Sequence, residues 1–109
     1  MLANNDQAQI IRTQITGQIG ALAQALPHCA LTQIVRGIDD IRCLARDHGF
    51  AAVESLASRL ESTVAAGGYR AAILTYLDAM SDAADDRPGP LPVAAQEAWL
   101  ASVALRLGH

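Results

Sequence analysis

Lysine is absent from this chain, so every strongly basic side chain is an arginine, a planar fork of donors matched to carboxylate or phosphate. Aromatic residues make up only 4%. The core must therefore come from Ala, Leu, Ile and Val, which suits closely packed helices. Cysteine occurs only at Cys29 and Cys43, outside any C-x-x-C, and neither shares ligand spacing with His28, His48 or His109. No metal site or cofactor is expected. On one predicted helix the two thiols would sit about 21 Å apart at 1.5 Å per residue, too far to bridge.

Other absences narrow the function. No apolar run approaches the roughly 18 residues a membrane helix needs, and no charged-then-apolar leader opens the sequence. A soluble, cytoplasmic protein without a membrane partner is expected. There is no basic tail, and the formal net charge of −3 has the wrong sign for a general nucleic-acid binder. No Gly-rich phosphate loop, Ser-His-Asp set or Cys-His pair is present, so no enzymatic activity is expected. Glu54 and Glu61 read as an exposed face too widely spaced for shared-proton chemistry.

What remains is helical periodicity over a single 109-residue domain, 51% hydrophobic. Helices are predicted at about 7–26, 28–47, 51–66, 69–84 and 93–107. The first carries the stripe Ile11, Ile15, Ile19, Leu22 and Leu26, with Gly17 and Gly20 expected to allow close helix packing. Pro27 is expected to end it and to open the second, which would be the longest. Gly67–Gly68 ends the third and Tyr69 begins the fourth, whose stripe is Ile73, Tyr76, Leu77 and Met80. Tyr69 and Tyr76 are expected to pack while their hydroxyls reach solvent. The cluster from Asp78 to Asp86 reads as a solvated face, and the stiff loop Arg87–Pro92 leads to a helix with Trp99, Leu100, Val103 and Leu107 inward. Short connections favour antiparallel neighbours.

The stretch from Gln33 to Glu61 is the most informative. Ile34, Ile38, Ile41 and Ala45 recur at helical steps, Gly49 makes the turn, and Val53, Leu56, Leu60 and Val64 resume the pattern. Away from the stripe of the first of these helices lie Arg36, Asp39, Asp40, Arg42, Cys43 and Arg46, the candidate partner-binding surface. Arg36 and Arg42 flank Asp39 at three residues on either side, and with Arg46 they would form a positive rim.

In this stretch Ile41, Arg42, Gly49, Leu60 and Glu61 fall in a register that resembles the histidine phosphotransfer (HPt) domain, the phosphate-relaying helical bundle of bacterial multistep signalling. The position of that family's phosphorylated histidine is occupied here by Asp39, and a Gly of the motif by Cys43. The resemblance implies an all-α, antiparallel up-and-down four-helix bundle, formed by helices two to five with helix one covering an end or side. It implies a protein partner, either a receiver domain or a histidine kinase. Without the imidazole that would attack an acyl phosphate, the expected role is a non-catalytic adaptor, monomeric or weakly dimeric. Two alternatives stand beside it: a structural or oligomerisation module pairing through helix one or helix five, and a phosphocarrier using His28 or His48.

Overall fold

The computed structural model describes residues 4–67, 70–86 and 88–108, with side chains from residue 7 onward. Five α-helices lie in this part of the chain: α1 Asn4–Ala25, α2 Leu31–Asp47, α3 Ala51–Ala65, α4 Arg70–Ala84 and α5 Val93–Arg106. There is no strand among the described residues, where Phe50 and Gly89 form an isolated β-bridge. Gly68, Tyr69, Arg87 and His109 lie outside them.

All five residues of the α1 stripe are buried, Ile15 completely. The connection that follows differs from expectation. Leu26–His28 form one turn of 3-10 helix with Pro27 in its first positions, Cys29 is extended, and α2 begins only at Leu31. The start signal is at Ala30, whose N–H donates to the Gln33 side-chain carbonyl at 3.1 Å, half of a capping box. Three consequences follow. The longest helix is α1, with 22 residues against 17 for α2. Leu31 is 57% exposed. Cys29 is not on α2 at all, although both cysteines are half-buried free thiols.

Farther along α2 the periodicity holds, and Ile34, Ile38, Ile41 and Ala45 are buried. Gly49 takes φ 77°, and Phe50 N–H then donates back to Ala45 O at 2.8 Å to close the turn. Phe50, not singled out by periodicity, is only 3% exposed. Gly89 N–H donates to Gly49 O at 2.9 Å, which seats the Pro-rich loop between α4 and α5 on this same turn.

Close helix approach occurs at a different glycine from those expected. Cβ atoms added at Gly17 or Gly20 would meet nothing within 4 Å, whereas one at Gly37 would stand 3.0 Å from Leu22 Cδ1. Gly37 is where α2 approaches α1.

Helix α1 packs on α2 and α4, α3 packs on α2 and α4, and α5 lies on α3 and α4. Arg12 Nε near the start of α1 donates to Ala84 O at the end of α4 at 2.7 Å, and Arg70 at the start of α4 donates to Leu26 O just beyond α1. The two helices therefore run in opposite directions. Helix one was expected outside a bundle of helices two to five. Instead α1 supplies four of its residues to the core, Ile11, Ile15, Ile19 and Leu22, while α5 supplies Val103 alone; Trp99, Leu100 and Leu107 pack half-buried at its edge. Branched aliphatics at every turn give α1 a stripe that has to be covered.

Candidate functional site on α2

Asp39 stands in the middle of α2, one turn from Arg42, with its side chain 47% exposed. Arg42 Nη2 donates to Asp39 Oδ1 at 2.6 Å, and its Nε donates to Glu61 Oε1 of α3 at 3.0 Å. One guanidinium thus ties two carboxylates across the helical hairpin, in the geometry that favours charge-assisted hydrogen bonds. The same nitrogen that meets Asp39 lies 3.9 Å from Cys43 Sγ. The Arg42 pKa is raised, first by the hydrogen bond to Asp39, then by that to Glu61, with partial burial opposing. A raised value keeps the guanidinium charged through any accessible pH.

The remaining surface residues are arranged differently from the expected positive rim. Arg46 pairs with its own neighbour Asp47 at 3.3 Å. Arg36 and Asp40 are exposed, and Arg36 makes no ion pair among the described residues. Arg36, Arg42 and Arg46 therefore share their face with Asp39, Asp40, Asp47 and Glu61. Among the described residues Arg42 and Arg46 are paired while Arg36 is not, and with three cations among four carboxylates the face does not present a cationic patch. Glu61, read from the sequence as part of a solvated face with Glu54, is half-buried and engaged. Sequence reasoning missed this link because Arg42 and Glu61 are 19 residues apart. The available signal was the antiparallel hairpin at Gly49, which puts the second half of α3 beside α2.

Chemically the site holds carboxylates, a guanidinium and a half-buried thiol. A nucleophilic imidazole is not among them: His28 closes the 3-10 turn, His48 caps α2, and both are exposed. The described residues contain no group of three or more His, Cys, Asp or Glu that could hold a metal ion. No described helix is long and apolar enough to cross a membrane.

Arginine is used structurally elsewhere too. Arg12 and Arg70 donate to backbone carbonyls at opposite ends of the α1–α4 pair. Arg106 of α5 reaches Asp78 at 3.1 Å and Asp82 at 2.9 Å, so part of the expected solvated acidic cluster is an inter-helix tie. No family model, curated protein or solved structure matches the chain.

Proposed function

We propose that this protein is a non-catalytic binding module of the HPt type, which engages a receiver domain or a histidine kinase through the outer face of α2 and carries no phosphate. The observation that carries the reading is Asp39, half-exposed at mid-helix and held by Arg42, at the register position where the resembled family has its histidine. The contacts close a circuit among α1 to α4 with α5 laid outside, a different four from the helices two to five that the resemblance implies, so the reading rests on the register of α2 and not on the bundle. A carboxylate fixed by a guanidinium offers a partner a permanent anionic feature without a transferable group. Because the surrounding charges are balanced, the partner's own surface has to be complementary in pattern, not merely acidic or basic.

Titration of the isotope-labelled protein with receiver domains from the same genome tests this reading. The expected result is saturable, micromolar binding with shifts centred on Asp39, Asp40 and Cys43, lost in Asp39→Arg. Absence of binding, or binding indifferent to that substitution, overturns it. A phosphocarrier role through His28 or His48 would instead leave acid-labile phosphate on the natural chain after incubation with a phosphorylated receiver.

A second reading, self-association, is favoured by α5. Its outward side presents Ala94, Ala98, Ala101 and Leu105, all exposed, and the polar residues of this helix are only Gln96, Glu97, Ser102 and Arg106. Apolar residues on both sides of a helix fit one that is covered on both sides. Sedimentation would then show a dimer, where the adaptor reading expects a monomer.

A further inference from the structure

We propose that the seam between α3 and α5 binds a medium-chain alkyl carboxylate, with the anionic head on Arg59 and the chain along α5. This site is independent of the α2 face and of the function assigned to it. Two open grooves meet there. One, about 530 Å³, is lined mainly by polar groups, among them Ser55, Ser58, Ser62 and Gln96. The other, about 390 Å³, has Tyr76, Leu100, Val103 and Leu107 in its wall. Both include Arg59 and Leu100, so a hydroxyl-lined trough passes into an apolar one at a single cationic side chain. Each volume lies within the range usual for small-molecule sites, about 300–1,000 Å³.

Arg59, like Arg36 of α2, is unengaged among the described residues, and it is Arg59 that lines both grooves. Arg12, Arg42, Arg46, Arg70 and Arg106 each hold a carboxylate or a carbonyl, whereas Arg59 makes no ion pair or side-chain hydrogen bond among the described residues. A guanidinium can take a carboxylate through two parallel N–H donors, and since the Ser62 and Thr63 hydroxyls donate to Ser58 O and Arg59 O of their own helix, the anionic head falls to Arg59. Glu54 is the one carboxylate lining the polar groove, more than a turn nearer the start of α3, which places the anionic head at the Arg59 end. From Leu100 to Leu107 the apolar wall runs about 10 Å along α5 at 1.5 Å per residue, a length that an extended alkyl chain can follow. Charge at one end and apolar surface beyond it select an amphiphile over a sugar or a nucleotide.

Calorimetric titration with decanoate, below its micelle concentration, tests the assignment against decanol, a neutral molecule of the same chain length. The expected result is one saturable site at which decanoate binds at least tenfold more tightly than decanol. Arg59→Gln abolishes that preference, and Leu107→Ser weakens both ligands. Arg59 is exposed and unpaired, so circular dichroism of Arg59→Gln should match the parent. A third arm uses vesicles of anionic phospholipid. Vesicle binding without decanoate binding overturns the proposal in favour of a membrane surface. Equal affinity for decanoate and decanol, an undiminished preference in Arg59→Gln, or no saturable binding at all each overturns it as well.

Discussion

Helices α2 and α5 divide polar from apolar residues very differently, and they are used in opposite ways. In α2, four buried residues alternate with charged and polar ones, and the burial follows the periodicity from Ile34 onward. In α5 polar residues are few, and the helix lies on α3 and α4 with Val103 alone wholly buried. A hydrophobic stripe names the inward face only where polar residues mark the outward one. Where they are missing, as on α5, composition leaves the helix free to be covered from either side.

Core truncation gives the widest separation between the two. Ile38→Ala should lower unfolding free energy by about 2–5 kcal/mol, because a fully buried side chain is replaced by a cavity. Val103→Ala should cost about 2 kcal/mol or less, since it removes fewer methyl groups from a helix at the core's margin. Urea unfolding midpoints at constant slope measure both. If Val103→Ala cost as much as Ile38→Ala, α5 would be as integral to the core as α2.

Glycine substitutions sharpen the contrast between a helix that is closely approached and one that is not. Gly49→Ala should destabilise by about 1–2 kcal/mol, because φ 77° is a left-handed conformation that a Cβ penalises. Gly17→Ala, in open space within α1, should stabilise by up to about 1 kcal/mol. Gly37→Ala should fall well short of the gain at Gly17, since Leu22 must move to admit the methyl group. Thermal or urea unfolding of the three variants checks the order. An equal gain at Gly37 and Gly17 would mean that α1 and α2 are not closely packed.

How far the molecule was legible follows the same logic. Helix existence, the α1 stripe and the turn at Gly49 are local, and the order of residues displays them directly. The late start of α2 depended on a Gln33 side chain closing on Ala30, a signal outweighed by Pro27. The placement of α1 inside and α5 outside could not be read, because each carries an apolar stripe and only the total packing decides between them. For the candidate site, Asp39 and Arg42 could be paired from a three-residue spacing. Glu61, Arg12 on Ala84 and Arg70 on Leu26 required the chain to fold back, and no local pattern announces that.

Ion ties give smaller effects and compare the two helices again. Arg42→Ala removes one pair within α2, to Asp39, and one that joins α2 to α3, to Glu61, and Arg106→Ala removes two that join α5 to α4. The first should cost about 1 kcal/mol and the second about 0.5 kcal/mol, because Asp78 and Asp82 are the more exposed acceptors. Double-mutant cycles with Glu61 and Asp82 isolate the pairwise terms. A larger coupling at Arg106 would make α5 an electrostatically clamped helix, not a loosely held one.

The smallest effect on stability tests the outer side of α5 most directly. Ala101 is exposed between Ala98 and Leu105, so Ala101→Glu meets no buried neighbour and should change unfolding free energy by within about 0.5 kcal/mol. Its effect on assembly is the discriminating quantity. If the natural chain sediments as a dimer and the variant as a monomer with unchanged circular dichroism, the apolar outer stripe is the contact between copies, since a carboxylate placed there would be desolvated on association. If both sediment as monomers, α5 is apolar for a different reason, and the groove it forms with α3 becomes the stronger explanation of its composition. The converse change on α2, Asp40→Ala at an exposed position, should leave sedimentation unaltered whichever result α5 gives. That pair of variants separates a helix whose outward side is meant to meet another copy from one whose outward side is meant to meet a different protein.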